Sequence, residues 1–331
     1  MAIILSQDHP AYLRLKSKGI SVRAEAANAD CRNDANVITL GFVNLMPETY
    51  LEETVDLLLG RLSRTPRDIR PVFISPEGKS NKGLSWADAQ KQNIDSLLIT
   101  GYAASNLAFE ELDFWPALQT IIRDAEKLSL PLLAVCAGAM AVAYQSYQIR
   151  KEQAPHKLLG NYEYKTRGGE DIYLATSRNN TLNRRDLLAA VESKGLTIPL
   201  QTYDTPQPEP GIIVDKSRNW ILTLAHLEYA YTTSDSYPDF EGQPLHILDY
   251  QYRRDHNTDS PKYDPELALR VLPPVNLELT SEQVKGREDY AVKLLSDWVV
   301  RTKVPQYVAA LASDRESSPR YRAYAGRPNL F

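Results

Sequence analysis

Along the first half of the chain, apolar and polar residues fall into blocks that switch between two periods. Residues 36–43 are almost continuously apolar, the pattern of a strand buried on both faces. Behind Asn44-Leu45-Met46-Pro47, residues Tyr50, Leu51, Val55, Leu58, Leu59 and Leu62 recur at helical spacing. Pro47 suits the first turn of that helix, and Glu48, Glu52, Glu53 and Asp56 favour its positive N-terminal end. A second strand is predicted over residues 69–74 and a third over 96–100, with a polar loop over 75–81. Gly101-Tyr102-Ala103-Ala104-Ser105 follows the third strand, and a helix is predicted within residues 106–128, with Trp115 and Leu118 in its core face. The apolar run 130–135 then stops at Cys136, followed by small residues and an amphipathic continuation through Tyr147: a buried strand, a sharp turn and a helix.

This alternation predicts an α/β fold with a mostly parallel, doubly wound sheet. Ligands of such sheets bind at the carboxyl ends of the strands. Pro47, Gly101 and Cys136 lie just past three of those ends, so three turns distant in sequence are expected at one crevice.

The second half is less regular. Short β-like runs occur at 172–176, 196–202 and 211–215, with a polar loop, Ser177-Arg178-Asn179-Asn180, after the first of them. The apolar run 220–225 is a further strand, ending on His226-Leu227-Glu228-Tyr229. Residues 231–244 are rich in Thr, Ser, Asp, Pro and Gly and read as an inserted loop. Residues 247–252 resume a helical pattern, 256–285 carry several prolines, and 289–304 are amphipathic around Trp298 and Val299. The expected organisation is an N-terminal arm over 1–35, one domain over 36–305 and a polar C-terminal tail over 306–331.

Composition narrows the functional classes. The 331 residues are 43% hydrophobic and 24% charged, enough for a sizeable core. A net charge of −4 argues against a nucleic-acid partner, which needs a basic surface. No apolar stretch reaches the roughly 18 residues of a membrane span, and the first residues lack the basic region of a signal peptide. The two cysteines, Cys31 and Cys136, do not suggest a disulfide framework, so a reducing, cytoplasmic setting is expected.

Cys136 sits where a nucleophile on a strand-to-helix elbow would sit, with small neighbours that let substrate approach and a helix N-terminus that favours thiolate. Taken alone, the stretch fits a buried structural cysteine equally well. His226 and Glu228 follow another apolar strand, two residues apart, so in an extended segment their side chains point the same way. A histidine beside a thiol can take its proton, and a carboxylate can orient and stabilise the imidazole. No other His or Cys lies at ligand spacing, and no metal is expected.

At this point the chain resembles a known family. Val135-Cys136-Ala137-Gly138-Ala139 resembles the nucleophile elbow of class I glutamine amidotransferases. Ala225-His226-Leu227-Glu228-Tyr229 is similar to the Gly-His-Pro-Glu-Tyr stretch of one branch of that fold, the homoserine O-succinyltransferase / O-acetyltransferase family. Asn44-Leu45-Met46-Pro47 matches that family's opening motif. Thr100 to Ala104, His156 to Glu163, Ser177-Arg178 and the stretch from Leu248 to Arg254-Asp255 resemble further family motifs, in order over residues 36 to 300. The resemblance implies a class I glutamine amidotransferase-like (flavodoxin-like) fold and O-acyl transfer from acyl-CoA to the hydroxyl of L-homoserine, or of a close relative such as L-serine. It implies Cys136 as acyl acceptor, His226 as general base and acid, and Glu228 as its orienter. Backbone N–H groups of Ala104 and Ala137 would form the oxyanion hole, and Lys157, Ser177 and Arg254 would hold the acceptor. It further implies acyl-CoA as co-substrate with no permanently bound cofactor, small-molecule substrates, and a homodimer.

Departures are visible. Ala137-Gly138 stands where the family usually has an aromatic and another small residue, and the turn after the third strand lacks the usual proline. The segment between Glu228 and Arg254 is longer than the family's. Ser105 occupies the position associated with donor selectivity, where glutamate goes with acetyl and glycine with succinyl. A small neutral residue does not repel a succinyl carboxylate, so succinyl is the expected donor. Rival readings are a glutamine amidotransferase or other Cys-His-Glu thiol hydrolase, against which Ala134 and Met140 count, and a binding protein that kept the fold without the chemistry.

Overall fold

Strand β3 (Val37–Val43) is buried at every position, as its unbroken apolar run requires. In the computed structural model, which describes residues 1–25, 34, 36–76, 83–102, 107–205, 208–229, 237–238, 244–245, 248, 251–252, 255–258, 265–271, 273–275 and 279–302, β3 lies inside an 11-stranded sheet. Its companions are β1 (Ile3–Leu5), β2 (Val22–Ala24), β4 (Asp68–Ile74), β5 (Ser96–Ile99), β6 (Leu132–Val135), β7 (Lys151–Thr166), β8 (Asp171–Leu182), β9 (Thr197–Thr202), β10 (Glu209–Asp215) and β11 (Trp220–Thr223). The order is β2-β1-β4-β3-β5-β6-β11-β10-β9-β7-β8. Pairing is parallel from β2 to β11 and antiparallel from β11 to β8.

Alternate residues of the central strands feed two cores. Leu97, Ile99, Leu132 and Ala134 pack with α4 (Trp115–Lys127), α5 (Ala137–Tyr147) and α6 (Arg184–Lys194), and α3 (Trp86–Gln90) contributes Ala89. Leu98, Leu133 and Val135 face the other way, against α1 (Pro10–Ser17), α2 (Glu48–Leu62) and α7 (Ser281–Thr302). Helices on both faces make the sheet doubly wound, the α/β architecture expected from the alternation.

The structure departs from the sequence reading in two places. Residues 1–35, expected as an arm over the domain, place β1 and β2 in the sheet itself, with Ile3, Ile4 and Leu5 buried. Residues 177–180, expected as a loop, are part of β8, which pairs with β7 in one long antiparallel ribbon. They look like loop because the inward positions Thr176, Arg178 and Asn180 are themselves polar and buried. Helix α6 follows at once, capped by Asn183, whose side chain accepts from the Asp186 N–H at 2.9 Å, and closed by Gly195 at φ +67°. Of the 231–244 insertion only a two-residue pairing, Tyr237–Pro238 with Pro244–Leu245, lies within the described residues. The 306–331 tail lies outside them. Among the described residues no helix is long and apolar enough to cross a membrane.

Candidate active site

Cys136 lies between the end of β6 and the start of α5, at φ +51° and ψ −118°. A residue with a Cβ rarely adopts such a conformation, and holding it costs about 1–3 kcal/mol. The surrounding backbone imposes it. The Cys136 N–H donates to the Thr223 carbonyl at 2.7 Å, locking the elbow to β11. One turn on, a Cβ at Gly138 would lie 2.2 Å from the Thr100 carbonyl, so only glycine lets α5 start this close to β5. A Cβ at Gly101 would lie 3.4 Å from the Cys136 Cβ, so the turn after β5 touches the elbow. The Asn44 turn is tied to the same strand end: Leu45 N–H donates to Thr100 Oγ1 at 2.8 Å, and Thr100 Oγ1 donates to Asn44 Oδ1 at 3.3 Å. The three turns expected at one crevice do meet there.

β11 runs parallel to β6 with Thr223 beside Val135, so the chain leaving β11 passes the elbow at the same level. The His226 N–H donates to the Ala175 carbonyl of β8 at 2.8 Å. Its Nδ1 lies 2.7 Å from Glu228 Oε1, both residues being buried. With Nδ1 taken by the carboxylate, Nε2 is the nitrogen left for the thiol. The Cys136 sulfur lies 3.8 Å from the Ser177 carbonyl. Burial pushes the thiol up, but His226, through charge and a hydrogen bond, and then Arg178 outweigh burial and the opposing Glu228, leaving the thiol below its usual value. Burial alone would lower His226; the acidic groups Tyr229, Glu228 and Cys136 around it raise it well above its usual value instead. The two opposite shifts both favour a thiolate–imidazolium pair over the neutral one, the arrangement in which a base can activate a thiol.

On the facing wall, Lys157 is buried and pairs with Asp255, Nζ to Oδ2 at 2.5 Å. Ser177 pairs with Leu159 across the ribbon, and strand alternation puts Lys157 on that same face. Ser177 Oγ donates to Gln251 Oε1, and Gln251 Nε2 donates to the Tyr229 hydroxyl at 3.3 Å. The Tyr229 ring stacks on His226, centroids 4.2 Å apart and planes 8° from parallel. The structure thus brings Cys136, His226, Glu228 and Ser177 together, and Ala137 opens the helix that starts at the sulfur. Ala104, Ser105 and Arg254 lie outside the described residues. Tyr229, Gln251, Asp255 and Arg178 were given no role from sequence. Buried Arg178 donates to the Asn180 carbonyl at 3.0 Å and to Glu209 at 3.2 Å. No cluster of His, Cys, Asp and Glu able to hold a metal occurs among the described residues.

Residues 2–264 match the family model described as homoserine O-succinyltransferase. Similar curated proteins include a homoserine O-acetyltransferase of Lachnospira eligens, 27% identical over 318 residues, spanning 90% of this chain and 93% of that one. Homoserine O-acetyltransferase 1 of Ilyobacter polytropus is 28% identical, spanning 82% of this chain and 92% of that one. Among solved structures, a glutamine amido transferase from Methylobacillus flagellatus aligns with a TM-score of 0.49 and 12% identity, covering 80% of this chain and 94% of that one.

Proposed function

The chain belongs to the homoserine O-succinyltransferase family, an acyltransferase family, and on that premise we propose that it transfers an acyl group from acyl-CoA to the hydroxyl of L-homoserine through a thioester on Cys136. The observation that carries the reading is a strained cysteine beside a buried imidazole whose Nδ1 is 2.7 Å from a carboxylate.

In the proposed sequence the Cys136 thiolate attacks the thioester carbonyl of the donor. The oxyanion that develops would be held by the N–H of Ala137 at the start of α5 and, by the family resemblance, by that of Ala104. The carbon–sulfur bond to CoA breaks, and the imidazolium of His226 gives its proton to the departing thiolate. The acceptor hydroxyl then loses its proton to neutral His226 as its oxygen attacks the acyl carbon, releasing the thiolate and the O-acyl product. Glu228 holds Nδ1–H in place and stabilises the ring when charged. Lys157, Ser177 and Arg254 would hold the acceptor, Arg254 pairing with its carboxylate as a fork. L-Serine, one methylene shorter, is the competing acceptor. The relatives named above carry acetyl in their names and the family description carries succinyl, so the assay offers both donors.

Intact mass of the protein after incubation with acetyl-CoA or succinyl-CoA tests the reading. Acyl addition mapping to Cys136, followed by its loss on adding homoserine with release of an O-acyl amino acid, is the expected result. Absence of a thioester from either donor, together with no CoA release in the presence of homoserine or serine, overturns it. Cys136→Ala should abolish turnover and keep the fold.

A further inference from the structure

The face of the His226 ring is not open. The chain bends at residues 227–228, and that bend lays the Tyr229 ring flat on the imidazole at 4.2 Å. The phenol oxygen accepts from Gln251 Nε2 at 3.3 Å, and the other end of the same carboxamide accepts from Ser177 Oγ. Ser177 returns to the nucleophile, because its carbonyl lies 3.8 Å from the sulfur. A chain of contacts therefore runs from Cys136 through Ser177, Gln251 and Tyr229 to His226.

Each link has a physical consequence. A ring stacked parallel to an imidazole restricts its rotation and leaves its edge, with Nδ1 and Nε2, free for Glu228 and the thiol. Once the imidazole is charged, the aromatic face attracts it, an interaction that strengthens when water is excluded. His226 is buried and Tyr229 half-buried, so the stacked pair is partly shielded from water. The tyrosine is in turn held at its far end by one amide, and that amide is shared with a side chain on the facing wall. The groups around the imidazole are Glu228 and Tyr229 from its own segment and Cys136 from the elbow, whose sulfur in turn meets the Ser177 carbonyl of β8 and the positive charge of Arg178.

We propose that Tyr229 is a positioning residue that holds the His226 imidazole in line with the thiol and favours its charged form, and that Gln251 links this ring to the acceptor wall through Ser177. The second half of the statement rests on the acyl-transfer reading; the first does not.

The test uses purified full-length variants and two readouts. One is the rate of Cys136 alkylation by iodoacetamide as a function of pH, which needs no substrate; the other is kcat and KM for acyl transfer. Tyr229→Leu should slow alkylation at neutral pH about tenfold, move the alkylation curve to higher pH, and lower kcat by a similar factor, the range expected for losing an aromatic face from a buried cation. Tyr229→Phe keeps the face and should stay within about threefold. Gln251→Leu should match Tyr229→Phe, and the double variant should be no worse than either, since both break one link. Should Tyr229→Leu not fold, Tyr229→Met fills the same space without a ring. An alkylation curve for the ringless variant that superimposes on the parent would overturn the positioning role, and multiplicative losses in the double variant would overturn the link through Gln251. A shifted alkylation curve in a protein that transfers no acyl group would uphold Tyr229 and refute the acyl-transfer reading instead.

Discussion

Replacing Glu228 with glutamine changes one charge and almost no volume, which makes it a clean perturbation of the site. The carboxylate oxygen lies 2.7 Å from His226 Nδ1, and the two side chains are 7% and 9% exposed. Opposite unit charges about 4 Å apart attract by about 4 kcal/mol at the effective dielectric of protein sites. The same carboxylate repels the sulfur from across the ring, about twice as far away, and so by about 2 kcal/mol. The difference, about 2 kcal/mol, favours the thiolate–imidazolium pair and vanishes in Glu228→Gln, where an amide keeps the hydrogen bond without the charge. The ion-pair equilibrium should fall about thirtyfold, so Cys136 alkylation at neutral pH should slow by up to about the same factor. The signs agree with the resting site, in which the thiol sits below its usual value and the imidazole above its own. Iodoacetamide labelling followed by intact mass, at pH values from 5 to about 9, measures the rate. A Glu228→Gln alkylation rate at neutral pH that equals or exceeds the parent's refutes the reasoning, because repulsion on the sulfur would then equal or exceed attraction on the ring.

The elbow should be strained independently of its chemistry: at φ +51° a glycine is at ease and an alanine is not, so Cys136→Gly should unfold about 1–2 kcal/mol harder than Cys136→Ala, and equal thermal midpoints would count against the strain. Gly138→Ala places a Cβ 2.2 Å from the Thr100 carbonyl, so α5 must move by roughly 1 Å, with a loss of about 2–4 kcal/mol in urea titration and of nearly all Cys136 reactivity. Glu288 tests a different region. Burial pushes its carboxyl up, but Arg61, which hydrogen-bonds both its oxygens, and then Arg64 and Arg287 hold it lower than usual. A lowered carboxyl stabilises the fold above its ordinary value and loses that contribution as pH falls through the lowered one. Glu288→Gln should therefore cost about 1–2 kcal/mol at neutral pH, and the gap between variant and parent should close as pH falls below 4.5, read from denaturation midpoints.

The parallel half of the sheet was legible because its strands are covered on both faces. Burial on both sides turns β3, β5, β6 and β11 into unbroken apolar runs, and the position just past each run is visible as a turn. Cys136, His226 and Glu228 could be picked out for that reason, since each follows such a run. The β7–β8 ribbon was not legible. Arg178 and Asn180 are buried but polar, satisfied by Glu209 and by neighbouring carbonyls, and no hydropathy pattern separates a satisfied buried arginine from an exposed one. Strands β1 and β2, three residues each, are too short to show a period and are held by their partners. Helix α6 did leave signals, the cap at Asn183 and the glycine at Gly195 around Leu187 and Ala190, but its short apolar stripe is faint beside them. Tyr229 and Gln251 meet across 22 positions, a contact that depends on where the chain goes between them and that no spacing rule encodes.

The ribbon has a consequence for how such a catalyst can diversify. The backbone that holds the sulfur in its strained pose belongs to β6, β11 and the start of α5, whereas Ser177 and Lys157 ride on two antiparallel strands whose outer positions meet solvent. A change at Lys157 alters that arm away from the elbow, whereas a change at Ser177 or Arg178 reaches the sulfur as well. Lineages sharing this plan are free to exchange appetites without relearning chemistry.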